Sequence, residues 1–200
     1  YHRAYVYGDY KFKDIAVPSF DEPSRIRTVI SADFDNDGYD EVFLNNIGEP
    51  NRLYKILENG VFKEIKLDKA LEPNGLGTGA AVADIDNDGI LELLISHGES
   101  GLQPLSLFKY NYEEKRSYLR IRPLNIHGAP ARGATVTLIT NKRKHSKTID
   151  AGSGYLCQME PVAHYGIREN ETEFKFKVKW TNGDEDFFDV QNLNETIIVR

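Results

Sequence analysis

Cysteine is almost missing: Cys157 is the only one in 200 residues. A single thiol closes no disulfide within the chain and cannot supply the cysteine set of a structural zinc site. It is expected to be a buried free thiol or to pair with another chain. Long apolar runs are missing too, and none approaches the roughly 18 residues of a membrane-spanning helix, so no membrane span is expected. Extended Ala/Leu/Glu patterns of helical period are absent. Gly152-Ser153-Gly154 is a glycine-rich turn without the lysine of a phosphate loop. The net charge is -6, which argues against nucleic acid as a partner.

What remains is a globular composition: 40% hydrophobic, 28% charged, with 11 Tyr and 10 Phe favouring strands. The charge is uneven. Residues 1–110 hold 11 basic and 19 acidic side chains, and residues 111–200 hold 14 and 12. Nine of those 19 acids fall in two short stretches: Asp33, Asp35, Asp37, Asp40 and Glu41, then Asp84, Asp86, Asp88 and Glu92. The acidic excess is local, as in a binding loop, and not a property of the whole surface.

The two stretches read DFDNDG and DIDNDG, 51 residues apart. Aspartates at positions 1, 3 and 5 of a tight loop can converge on one centre, and glycine at position 6 allows the bend. Position 7 can add a backbone carbonyl, from Tyr39 or Ile90, and position 9 supplies Glu41 or Glu92. Asn36 and Asn87 suit the turn. An all-oxygen set selects calcium, or magnesium, over zinc or copper. An EF-hand needs an acid at position 12 between two helices; here Leu44 and Ile95 stand there, with strand-like flanks. The reading is therefore two nine-residue Ca2+ loops joining strands, with calcium offsetting carboxylate repulsion. The alternative is a metal-free cluster of Asx turns. Asp40, whose counterpart is Leu91, is expected to be solvated.

The surroundings repeat as well. RTVISADFDNDGYDEVFLNN and TGAAVADIDNDGILELLISHG each place an apolar run on both sides of the loop. Further strand candidates follow at 51–58, 61–67 and 104–110, and the stretch at 8–20 reads as a degraded neighbour closed by Pro18 and Pro23. A short-strand repeat of this size suggests propeller blades. The polar run 111–117 marks a boundary. Beyond it, 118–124, 134–140, 145–151, 174–180 and 195–200 alternate as strands, and Asn182-Gly183 signals a hairpin. The expectation is all-β: propeller-like blades over 1–112, then a small antiparallel sandwich or barrel over 113–200.

The loops resemble the FG-GAP calcium repeats of integrin-alpha-type propellers. Together with ALEPNGLGTG, LLISHGES, APARGATVTLIT, GSGYLCQMEPVAHYGI and VKWTNG, they resemble the cartilage acidic protein 1 family, in which FG-GAP repeats precede a domain of the ASPIC/UnbV type. The resemblance runs from about Phe12 onward. It implies a secreted calcium-binding glycoprotein of the matrix or cell surface. The chain departs from the family pattern in extent, without the earlier blades or the EGF-like module; it reads as a fragment carrying a partial propeller or as a member of a shorter, divergent branch.

Other features are weighed against this. Asn170 and Asn194 each open an Asn-Glu-Thr sequon and are candidate glycosylation sites. Lys142, Arg143, Lys144, His145 and Lys147 read as a solvated hairpin turn, with a glycosaminoglycan contact as the alternative. Cys157 and His164, or His97 with Ser100, could form a nucleophilic pair only at hydrogen-bond distance; no enzyme is expected. Gly75, Gly77 and Gly79 suggest close backbone approach, and Arg132 a local pairing. The expected function is an extracellular calcium-stabilised module that presents a surface to protein partners. A purely structural matrix component and a cell-surface hydrolase are the alternatives.

Overall fold

A computed structural model of the chain describes residues 5–8, 11–57, 61–98, 101–111 and 116–200. Short alternating runs separated by Gly, Asn and Asp turns fold almost entirely as strands. Among the described residues, helix is limited to one turn, α1 (Pro18–Asp21), and a 3-10 turn at Asp68–Leu71. The stretch read as a degraded neighbour is thus only partly strand, because Pro18 starts a helical turn where its missing N–H costs nothing.

The chain divides into two compact units. The first comprises Tyr1–Ala32, Tyr39–Ala81 and Leu93–Phe108; the second comprises Asp33–Gly38, Val82–Glu92 and Lys109–Arg200. Both acidic loops are therefore grouped with the C-terminal residues. β1 (Tyr5–Gly8) and β2 (Lys11–Asp14) form an antiparallel hairpin. β3 (Ile26–Ala32), β4 (Glu41–Asn46), β5 (Arg52–Ile56) and β6 (Phe62–Ile65) form an antiparallel meander in chain order. β7 (Gly77–Ala83), β8 (Glu92–His97) and β9 (Ser106–Lys109) form a three-stranded sheet.

In the first unit, Phe20, Leu44, Tyr54 and Phe62 make a small core in which the Phe20 ring lies 4.7 Å from Phe62 and 5.2 Å from Tyr54. Gly77 is there for space: a Cβ on it would stand 2.2 Å from Asn45 Oδ1.

The second unit continues with β10 (Tyr118–Pro123), β11 (Thr135–Ile139), β12 (Lys144–Thr148), β13 (Ala163–Gly166), β14 (Lys175–Lys179), β15 (Glu185–Asp189) and β16 (Thr196–Val199). These make two sheets, β13-β10-β16 and β12-β11-β14-β15. One core joins them: Leu119, Ile121, Ala163, Tyr165 and Val199 from the first sheet with Val136, Leu138, Phe176 and Val178 from the second. Tyr165 stays satisfied inside it by donating to Val136 O at 2.8 Å. The alternation read in FKFKVKW holds, with Phe176 and Val178 fully buried and Lys175 and Lys179 exposed. One pairing departs from the antiparallel expectation. β16 runs parallel to β10, held by Asn194 N to Tyr118 O at 2.8 Å and Leu124 N to Val199 O at 2.8 Å. The returning C-terminal segment enters from the same end as β10, so its amides meet that strand in parallel register. The sheets remain separate, and no closed barrel forms among the described residues.

Candidate metal centre

The two acidic loops share one backbone solution. The position-4 residues Asn36 and Asn87 have φ of 54° and 60°, and the position-6 residues Gly38 and Gly89 have φ of 86° and 84°. Left-handed angles at an asparagine and a glycine are the least costly way to curl six residues around a point. The first aspartate then accepts the amides that the curl turns inward. Asp33 Oδ1 accepts from Asp37 N at 3.0 Å and Oδ2 from Gly38 N at 2.9 Å. Asp84 repeats this with Asp88 N and Gly89 N, both at 3.0 Å. Asp35 Oδ1 also accepts from Asp37 N at 3.1 Å, and Asp86 Oδ1 from Asp88 N at 3.3 Å.

Carboxylate oxygens of Asp33, Asp35 and Asp37 lie within 4.8 Å of one another, as do those of Asp84, Asp86 and Glu92. These clusters could hold a metal ion. The copies differ in detail. Glu92 belongs to its cluster, and its Oε2 also accepts from Ile85 N at 2.7 Å. Glu41, its counterpart, is buried on β4 with Lys55 Nζ at 3.9 Å and stands outside the first cluster. Asp88 stands outside the second, its Oδ1 accepting from Ile90 N at 2.9 Å. Tyr39 and Ile90 directly follow the loop glycines.

Cationic side chains surround both loops. Lys109 Nζ lies 2.7 Å from Asp86 Oδ2, 2.8 Å from Asp88 Oδ1 and 2.7 Å from Glu92 Oε1. Arg120, on β10, reaches Asp84 Oδ2 at 2.9 Å and also pairs with Glu160. Arg116 meets Asp35 Oδ2 at 3.1 Å. Arg143 and Arg168 both donate to the Gly38 carbonyl, and Arg143 also pairs with Glu171 at 2.8 Å. Arg143 is therefore not part of a solvated basic turn. It points inward, and Lys147 lies over the Tyr165 ring, leaving Lys142 and Lys144 exposed.

Burial pushes the Asp84 carboxyl above its ordinary range, and Arg120 with the Gly89 and Asp88 amides only partly offsets this. Slight burial also opposes ionisation of Asp88, but the Lys109 ammonium and the Ile90 N–H outweigh it and hold that carboxyl low. Lys109 is raised despite some desolvation, because three carboxylates accept its protons.

His164 on β13 closes the first loop from below, its Nε2 lying 2.6 Å from Asn36 Oδ1, with its ring stacked on Tyr118 at 6.0 Å. Asn36 Nδ2 donates in turn to Gly89 O at 2.7 Å. Burial, with Lys147 and Arg120 adding to it, holds the imidazole well below its usual 6.5. The unfolded chain takes up a proton at that pH and the folded one does not. Stability from this group is thus full above pH 6.5 and falls below it, by about 1.4 kcal/mol per pH unit until the folded pKa is reached. Urea unfolding at pH 7.5 and 5.5 checks this: His164→Gln is expected to flatten the slope, and equal slopes would contradict it.

Of the two nucleophilic pairs considered, only Cys157 with His164 lies wholly within the described residues. His164 Nδ1 has no hydrogen-bond partner among the described residues, so Cys157, a free thiol, makes no bond to it. His97 bonds Glu72 Oε2 at 3.1 Å and Pro104 O at 2.7 Å, and Ser106 donates to the other oxygen of Glu72. Ser100 lies outside the described residues. Of the sequons, Asn170 is exposed, whereas Asn194 Oδ1 accepts from Tyr118 N at 3.0 Å. Arg132 donates to Asp150 O, the local pairing expected of it.

Sequence reasoning found the aspartates and missed Lys109, Arg116, Arg120, Arg143 and Arg168. A signal existed for Arg120, since YLRIRP places it on the face opposite Leu119 and Ile121. Nothing local says that Arg120 is covered while Arg122 is exposed.

Residues 33–95 match the FG-GAP-like repeat family and residues 126–200 match the ASPIC and UnbV family. The chain is 48% identical over 195 residues to cartilage acidic protein 1 of Mus musculus and 47% identical over 195 residues to that of Homo sapiens, covering 91% of this chain in each case. The Xenopus tropicalis protein is 48% identical over 185 residues, covering 88% of this chain. The alignments take in 30%, 29% and 28% of those proteins, so the chain spans less than a third of their length. An FG-GAP-like repeat followed by an ASPIC and UnbV segment, with this identity along nine-tenths of the chain, places it in the cartilage acidic protein 1 family.

Proposed function

We propose that this chain is an extracellular calcium-binding interaction module in which two DxDxDG loops hold calcium. The observation that carries this reading is the duplicated loop, with the same left-handed angles and the same amide pattern around two carboxylate clusters. The fit is geometric as well as chemical. Calcium takes hard oxygens at about 2.3–2.6 Å, so two of its ligands lie at most about 5 Å apart; the 4.8 Å limit within each cluster suits that span.

Asp33, Asp35, Asp37 and Glu41 with the Tyr39 carbonyl would serve the first ion. Asp84, Asp86, Asp88 and Glu92 with the Ile90 carbonyl would serve the second. Bound calcium supplies positive charge and a cross-link; the loops then keep the ends of β3 and β4, and of β7 and β8, in fixed relation. In this reading the sheets β3-β6 and β7-β9 are blades of a propeller and 113–200 is the ASPIC/UnbV-type domain. The relatives are named for cartilage, which supports a secreted matrix setting with protein partners, and the exposed sequon residue Asn170 is the first proposed glycosylation acceptor. Asn194 is the second proposed acceptor.

Calorimetric titration of the chelator-treated chain with calcium chloride tests the reading. Two ions are expected. At free calcium about 100 times a site's Kd, one ion adds about 2.7 kcal/mol of stability. No calcium uptake, with melting unchanged by EDTA, would sink the reading.

A further inference from the structure

We propose that Lys109 is a resident counter-cation of the second loop, which calcium must displace, and that it sets the affinity of that site. The proposal rests on the calcium reading above and concerns one residue that the loop motif does not contain. Lys109 ends β9, 17 residues beyond Glu92, and reaches back to the loop. Its ammonium does not sit at the rim of the cluster. It touches both oxygens of Asp86, at 2.9 and 2.7 Å, together with Asp88 Oδ1 at 2.8 Å and Glu92 Oε1 at 2.7 Å. Asp86 and Glu92 are two of the three residues whose oxygens converge in that cluster.

A lysine ammonium has three protons to donate, and here three separate carboxylates receive them. It thus stands close to where a dication would have to stand to use the same oxygens, since calcium binds oxygen at about 2.3–2.6 Å. The two cations cannot share Asp86 and Glu92 without close like-charge contact. Lys109 is able to leave, because its flexible stem keeps the side chain 30% exposed. The arrangement has two consequences. Without metal, the ammonium offsets the repulsion among Asp86, Asp88 and Glu92 and keeps the loop closed. With metal, breaking those contacts subtracts from the affinity. Lys109 is in this sense a positioning and affinity-determining residue, not a ligand.

The test uses the full chain and calcium chloride. By calorimetry, Lys109→Met is expected to tighten one of the two binding constants about tenfold, as three partly exposed ion pairs no longer need breaking, and to leave the other within about twofold. In the wild-type chain, calcium is expected to raise acylation of Lys109, read by mass spectrometry, several-fold over lysines remote from the loop. The labelling experiment needs no variant, so it stands even if Lys109→Met folds poorly. Two ions bound, with unchanged Lys109 labelling and no tightening in the variant, overturns this inference and leaves the calcium reading intact. No calcium uptake by either protein overturns both.

Discussion

Arg120→Ala is expected to destabilise the second unit by about 3–5 kcal/mol, far beyond the effect of removing an ordinary surface ion pair. The difference lies in burial. The side chains of Arg120 and Asp84 are 2% and 1% exposed, and their charged atoms stand 2.9 Å apart. The guanidinium also pairs with Glu160 and donates to Thr196 Oγ1 at 3.2 Å, joining the second loop, the Glu160 segment and β16 to β10. In the calcium-free chain, where the effect is to be measured, truncation leaves a carboxylate buried without its counter-ion, and that desolvation cost dominates. Trp180, the only tryptophan, lies in this unit, so its fluorescence during urea unfolding reports the effect directly.

The loss has a pH signature. Burial already raises Asp84 above its ordinary range, and removal of Arg120 raises it further. As pH falls through that raised pKa, the carboxyl takes up a proton and the orphaned charge disappears. The gap between wild type and Arg120→Ala is therefore expected to be widest near neutrality and to narrow in acid. Arg120→Lys, which keeps the charge without the fork that spans two carboxylates, is expected to fall between the two. A loss below about 1 kcal/mol at neutral pH would place Arg120 among ordinary surface pairs.

Legibility divides along the same line. Local chemistry was readable: the alternate aspartates, the glycine that turns the loop, the Asn182-Gly183 hairpin and the alternation of Phe176 and Val178 all appear as expected. Each depends on neighbours within a few residues. Long-range pairing was not readable. β13 was missed because AHYG is four residues long and buried throughout, leaving no alternation to detect. The parallel β10-β16 pair joins residues 76 apart, as in Arg120 and Thr196, and no local pattern carries its direction. The cations around the loops come from β9, β10 and the segments flanking β12 and β13. In sequence each is one more Lys or Arg near a strand; only the fold brings it to an aspartate. The aspartates therefore name a chemistry, while the residues that tune it belong to the tertiary structure.

Gly89→Ala is expected to cost about 2–5 kcal/mol, the sum of two separable penalties. The first is conformational: at φ of 84° an L side chain lies in the left-handed region, at roughly 1–2 kcal/mol. The second is steric. A Cβ on Gly89 would stand 1.8 Å from Tyr118 Cε1 and 2.2 Å from its Cδ1. The ring cannot simply swing away, because Tyr118 is buried and stacks on His164. Overpacking of this kind adds about 1–3 kcal/mol. Gly128 isolates the first penalty, since its φ is 78° but a Cβ there would meet nothing within 4 Å. Gly128→Ala is thus expected to lose only the conformational share. In a Tyr118→Leu background, Gly89→Ala is expected to cost little more than Gly128→Ala does, and the difference between backgrounds measures the contact itself. Equal losses for Gly89→Ala and Gly128→Ala in the wild-type background, read from Trp180 fluorescence in urea, would show that the sixth loop position needs glycine for its backbone angle alone and that the Tyr118 ring imposes nothing on the second loop.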